Sequence, residues 1–189
     1  MADTVRAERY PSELAHMVTL ADGSGARIRP IRPDDEPGLV DLYERLSRRT
    51  AYQRFFTIRR QLPRDWYHAF ANVDYASRLA LVAERETVAG SRLIGVGRYE
   101  PSEEPDVAEV AVVVEDGWQG RGLGAILLDE VLRAAETRGI HRFRAYVLAD
   151  NQPMLRLLAI HTQVDERKLE DGVVGLTFRR RGPEEAGSG

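Results

Sequence analysis

The chain of 189 residues contains no cysteine. That absence excludes disulfides, thiolate ligation of a metal and covalent catalysis through a cysteinyl intermediate. Lysine is almost as scarce, with Lys168 alone against 26 arginines. Those 27 cations face 30 carboxylates for a formal net charge of −3, so the chain is no polycation built to coat nucleic acid. Long apolar runs are missing too. No aliphatic stretch is longer than five residues, as at 110–114, far short of the roughly 20 a membrane helix needs, and residues 1–9 are polar with no apolar segment behind them. A cytoplasmic protein with neither a membrane nor a nucleic-acid partner is expected. The four histidines, His16, His68, His141 and His161, lack metal-ligand spacing, so no metal site is expected.

What is present suits one folded domain: 43 % hydrophobic and 30 % charged residues. Residues 1–14 are expected to be a flexible N-terminal segment, 15–182 the domain, and 183–189, rich in Pro, Gly, Ser and Glu, a disordered tail. Residues 16–20 and 26–31 read as a hairpin about Asp22-Gly23. Asp34 or Asp35 then caps an amphipathic helix carrying Leu39, Val40, Leu42, Tyr43 and Leu46, and a second helix covers residues 51–56. Residues 78–83, 93–99 and 107–114 read as strands. Leu123, Leu127, Val131 and Ala135 share one face of a long helix, with Asp129 four residues before Arg133 and Gly139 as its stop. A strand at 142–148, a short helix from Asn151-Gln152-Pro153 to Leu158, and a hairpin turning at Asp171-Gly172 complete the pattern.

The turn between the 107–114 strand and the long helix is the most informative segment. Gly120, Gly122 and Gly124 let backbone approach a ligand closely, and the unpaired amides of a helix start favour an anion, most simply phosphate. Glycines there also serve tight strand–helix packing, which is the structural alternative. Gly120-x-Gly122-x-x-Ala125 satisfies the dinucleotide-binding fingerprint as well, with Asp150 at the end of the next strand as the ribose carboxylate. Only about forty residues follow Asp150, too few for the second half of such a fold. Glu109 is the other conspicuous residue. It interrupts a valine-rich strand, where apolar surroundings would raise its pKa, and it is either a functional carboxylate or the cross-strand partner of Arg98.

Gln119-Gly120-Arg121-Gly122-Leu123-Gly124 resembles the Gln/Arg-x-x-Gly-x-Gly/Ala signature of the GNAT acyltransferase superfamily. The resemblance spans residues 26–180. Within that superfamily, Ile28-Arg29-Pro30-Ile31-Arg32-Pro33-Asp34-Asp35-Glu36, Arg54-Phe55-Phe56, Ala108-Glu109-Val110-Ala111-Val112-Val113-Val114 and Asn151-x-Pro153-Met154-Leu155 look like the bacterial protein lysine acetyltransferases. The resemblance implies an α/β fold of α+β type, a mixed, mostly antiparallel sheet with central splayed parallel strands flanked by helices.

It also implies acetyl-CoA as cosubstrate and no metal. The pyrophosphate would be held by Gln119, Gly120, Arg121, Gly122, Leu123 and Gly124. The pantetheine arm would pair with Val112, Val113 and Val114 and bond to Asn151, whose other reading is a plain helix cap. Glu109 matches the general base, and the acceptor would be a protein lysine, with acyl-CoA synthetases the suggested substrates. A lysine amine with a pKa of about 10.4 is unprotonated in roughly one molecule in two thousand at pH 7, so attack on a thioester needs a proton removed first. Two readings stay open beside this one: a small-molecule amine acceptor, and a non-catalytic acyl-CoA-binding module.

Two positions depart from the superfamily pattern. Leu158 stands where many members have a tyrosine that protonates the departing thiolate, and His161-Thr162-Gln163 replaces the usual Leu-Gly-Phe. Between Arg45 and Arg64 lie seven arginines and no carboxylate: Arg45, Arg48, Arg49, Arg54, Arg59, Arg60 and Arg64. This run is read as a solvated basic face, with steering of an acidic partner as the alternative.

Overall fold

The valine-rich strand lies at the centre of an eight-stranded sheet. The computed structural model describes residues 10–59 and 61–182. The strands are β1 (His16–Thr19), β2 (Gly25–Pro30), β3 (Leu79–Thr87), β4 (Gly90–Pro101), β5 (Val107–Val114), β6 (Arg142–Leu148), β7 (Thr162–Glu170) and β8 (Val173–Arg180). Their order across the sheet is β1-β2-β3-β4-β5-β6-β8-β7. Every neighbouring pair is antiparallel except β5 and β6. The fold is therefore the mixed, mostly antiparallel α/β class read from the sequence, and its single parallel pair excludes the doubly wound dinucleotide fold.

Three helices, α1 (Glu36–Arg45), α2 (Arg48–Phe55) and α3 (Arg64–Ala71), precede β3. α4 (Leu123–Glu136) connects β5 to β6, and α5 (Gln152–His161) connects β6 to β7. α4 buries Leu123, Leu127, Val131 and Ala135, the face its periodicity predicts, and Gly139, at φ 82°, lets the Ile140 N–H bond back to the Ala135 carbonyl. It can lie this close to the sheet because β4 presents glycines beneath it. A Cβ on Gly97 would sit 3.1 Å from the Leu127 carbonyl oxygen and 3.1 Å from Val131 Cγ2.

Some local readings need correction. α3 has no counterpart in the sequence reading: Pro63 stands at its N-cap with no side-chain hydrogen bond to mark the start. Asp35 does not cap α1 with its side chain. Its carboxylate instead takes two 2.7 Å hydrogen bonds from Arg29 and one of 2.7 Å from the Arg32 amide. Residues 10–14 are packed: the Tyr10 hydroxyl donates to the Pro30 carbonyl at 3.0 Å, its ring meets Tyr75 edge-on, and residues 12–14 form a 3-10 turn. The tail at 183–189, most of the N-terminal segment and Arg60 lie outside the described residues.

Candidate active site

The site begins where two strands part. β5 and β6 are paired at Val107 with Arg142, Ala108 with Phe143 and Glu109 with Arg144, and no further. Beyond Glu109 the β5 edge that faces β6 has no strand partner among the described residues, while its other edge stays paired with β4 up to Val114 opposite Gly95. The fork opens into a cavity of about 660 Å³. Residues 109–114 form one wall and Ala145, Tyr146 and Val147 of β6 the other, with Thr50, Gln53 and Arg54 of α2 overhead. An unpaired strand edge presents main-chain donors and acceptors to an extended, amide-bearing ligand.

At the far end of the cavity is the glycine-rich turn. Gly120 and Gly122 have φ of 72° and 85°, which only glycine adopts freely, and a Cβ on either would meet nothing within 4 Å. On Gly124 it would find ordinary contacts at 3.7 Å or more. Close packing of strand against helix therefore does not account for these glycines. Gly120, Gly122, Gly124 and Ala125 line the cavity, and among the described residues no backbone N–H from Gly120 to Ala125 finds a main-chain acceptor. Unpaired amides at the start of a helix are a standard ligand for phosphate.

A hydrogen-bond network anchors this turn to α2. Asp116 accepts from the Ser47 amide at 2.9 Å, the Ser47 hydroxyl at 2.6 Å and the Thr50 hydroxyl at 2.8 Å. Burial opposes its charge, but these bonds hold its carboxyl below the usual carboxylate range. The Gln119 carboxamide donates to the Thr50 Oγ1 at 3.3 Å and to the Val114 carbonyl at 3.0 Å. Gln119 is thus tied both to the β5 wall of the cavity and to α2, a role its spacing alone did not reveal.

The other anticipated residues fall into two groups. Val112, Val113, Val114, Gln119, Gly120, Gly122, Gly124, Asn151 and Glu109 all line the cavity. Arg121 and Leu123 do not. The Arg121 guanidinium bonds to Asp22 at 2.6 Å and lies over Trp118, 4.7 Å from the ring centroid, while Leu123 is buried in the core. Asn151 is also a helix cap, its Oδ1 accepting from the Met154 amide at 3.3 Å. That leaves its carboxamide NH₂ as the end available to a ligand. Leu158 lines the cavity with a side chain that has no proton to give, and the Thr162 hydroxyl closes the end of α5 by donating to the Leu158 carbonyl at 2.6 Å.

Glu109 does not pair with Arg98, because the register sets Arg98 opposite Ala111 and Glu100 opposite Glu109. Arg98 is bound instead to Glu100 and lies over the Phe70 ring at 4.3 Å. Nor are the surroundings of Glu109 apolar, for Arg54, Glu100 and Arg144 stand near it. Its side chain is exposed, at the cavity wall. Desolvation there, reinforced by Glu100 and opposed by Arg54 and Arg144, leaves its pKa raised. A carboxylate so placed can take a proton from a group entering the fork.

Known proteins resemble this chain in sequence and in fold. The family model described as "Acetyltransferase (GNAT) family" matches residues 39–161. The chain belongs to the GNAT acetyltransferase family. The acetyltransferase Pat of Mycolicibacterium smegmatis is 30 % identical over 145 residues, covering 75 % of this chain and 42 % of its own length. This chain therefore spans less than half of that relative. Acetyltransferase PA5475 of Pseudomonas aeruginosa is 28 % identical over 153 residues, 81 % of this chain and 82 % of its own. The crystal structure of the GNAT domain of S. lividans PAT superposes with a TM-score of 0.80 at 38 % identity, covering 90 % of this chain and 99 % of that one. This GNAT domain is thus an acyltransferase of a family that uses acetyl-CoA.

Proposed function

We propose that this GNAT domain transfers an acetyl group from acetyl-CoA to the side-chain amine of a lysine in a protein, with Glu109 as the general base. The observation that carries this reading is the carboxyl of Glu109 at the fork between β5 and β6, facing the cavity, with a raised pKa. The likeness to Pat supports an acceptor protein, since the family alone leaves the acceptor class open.

In this reading the free amides from Gly120 to Gly124 hold the pyrophosphate, and Gln119 keeps their turn in register with α2. The free edge at Val112, Val113 and Val114 pairs with the pantetheine arm, and the Asn151 NH₂ donates to it. The Arg121 guanidinium fixes the turn through Asp22, which leaves only its amide to the phosphate. Glu109, through water, takes one proton from the lysine ammonium. The freed nitrogen attacks the thioester carbonyl, a β5 amide near Val114 steadies the oxyanion, and the carbon–sulfur bond breaks as the amide forms. The second amine proton passes to solvent as the amide forms, and solvent protonates the coenzyme A thiolate, since Leu158 supplies no proton.

Incubation with acetyl-CoA and a panel of lysine-bearing proteins, acyl-CoA synthetases among them, followed by mass spectrometry, tests the acceptor class. Acetyl-lysine at defined positions is expected. Acetylation of free amines alone would contradict the protein acceptor.

A further inference from the structure

Arg54 does not behave as a member of a solvated basic face. It lies on α2 with its guanidinium over the Phe55 ring, 4.7 Å from the centroid, and it lines the same cavity as Glu109. Its neighbours have already paired off. Arg98 is bound to Glu100, and Arg144 to Glu104. Arg45, from the same basic run, is held by Asp41 and Glu115. Among the described residues the side chains of Arg54 and Glu109 make no hydrogen bond and no ion pair, although Glu100 and Glu109 act on Arg54 through space. Burial and Arg98 draw its pKa down to about 10, which still leaves it charged at neutral pH.

A guanidinium in a cavity wall without a bonded carboxylate keeps its planar fork of donors free, and such a fork is best completed by a carboxylate. Glu109 and Arg54 thus offer the cavity one unpaired carboxylate and one unpaired cation. The carboxylate suits the ammonium that is to be acylated. The guanidinium suits an anion carried close to it on the same molecule.

We propose that Arg54 is a specificity residue that binds a carboxylate of the acceptor next to the reacting amine, so that the preferred lysine has an acidic residue beside it. This rests on the acceptor reading above and narrows it. The same chemistry in a free amino acid would come from its α-carboxylate, and the experiment separates the two sources.

Two pairs of acceptors are compared in the wild type, Arg54→Gln and Arg54→Lys: a peptide with a Lys-Asp pair against its Lys-Asn twin, and a free amino acid against its amide. Binding of the peptides to the coenzyme A-loaded protein is read in parallel by fluorescence anisotropy, so that the preference is visible even without turnover. The wild type is expected to favour Lys-Asp over Lys-Asn by about tenfold in kcat/KM or in affinity. Arg54→Gln is expected to bring that ratio to about one, and Arg54→Lys to restore part of it. A ratio of one in the wild type for both pairs, or a ratio unchanged in Arg54→Gln, overturns the proposal. A preference seen only for the free amino acid and lost in Arg54→Gln upholds Arg54 as the carboxylate site while contradicting the protein acceptor.

Discussion

Glu109 and Arg144 are the last paired positions of β5 and β6, and the cavity starts where they stop. One residue therefore marks both the end of strand pairing and the only carboxylate on the cavity wall among the described residues. Its environment sets a pH dependence. With Glu109 raised above the ordinary carboxylate range, the rate of acyl transfer should fall on the acid side with a midpoint above that range. Arg54 favours the charged form of Glu109. In Arg54→Gln that midpoint should move further up, and a pH profile of kcat/KM reads the shift.

Gly122 opens α4 at a positive φ with open space where a Cβ would go. Gly122→Ala should cost about 1–2 kcal/mol of stability from backbone strain alone and raise the KM for acetyl-CoA. Thermal melts and initial rates measure the two effects.

Asp116 gathers three hydrogen bonds from Ser47 and Thr50 and so holds α2 against the Gln119 turn. Asp116→Ala should lose about 0.5–1.5 kcal/mol, the lower part of that range being favoured by the exposure of the side chain. Because its folded pKa is lowered, its contribution is present above the unfolded pKa and disappears as pH falls through the folded one. Denaturation across pH 2–6 should therefore show a smaller acid destabilisation in the mutant than in the wild type.

Gly97 tests the seat of α4. A methyl group there meets a backbone carbonyl at 3.1 Å, which cannot rotate aside, so Gly97→Ala should destabilise by about 1–3 kcal/mol. A denaturant melt with an unchanged m-value and a lower midpoint is the expected result.

Much of this was legible in the residues. The strand at Val107–Val114 and the one at Arg142–Leu148 are bounded as the sequence suggested, because a nearly continuous apolar run in the first and an alternating one in the second end at turn formers. The glycine turn and its helix were equally plain. Register was not legible. Which β4 residue stands opposite Glu109 depends on where the β4–β5 hairpin closes, and the answer, Glu100, removed Arg98 as a structural partner. α3 went unread because its eight residues include three aromatics and its start has no side-chain cap. Arg54 was hidden for a related reason: a run of arginines looks uniform in sequence, while the turn of a two-turn helix decides which of them points inward. The role of Gln119 likewise depends on Thr50, sixty-nine residues away in the chain.

The most direct test of the account is the rate of coenzyme A release with a lysine-bearing acceptor, followed from acid to alkaline pH for the wild type and Glu109→Gln. Thermal stabilisation by acetyl-CoA serves as the control that the mutant still binds its cosubstrate. The account predicts retained stabilisation, a rate at neutral pH lower by about 10²–10⁴-fold, and loss of the acid-side inflection. Full activity of Glu109→Gln across the whole range would contradict it.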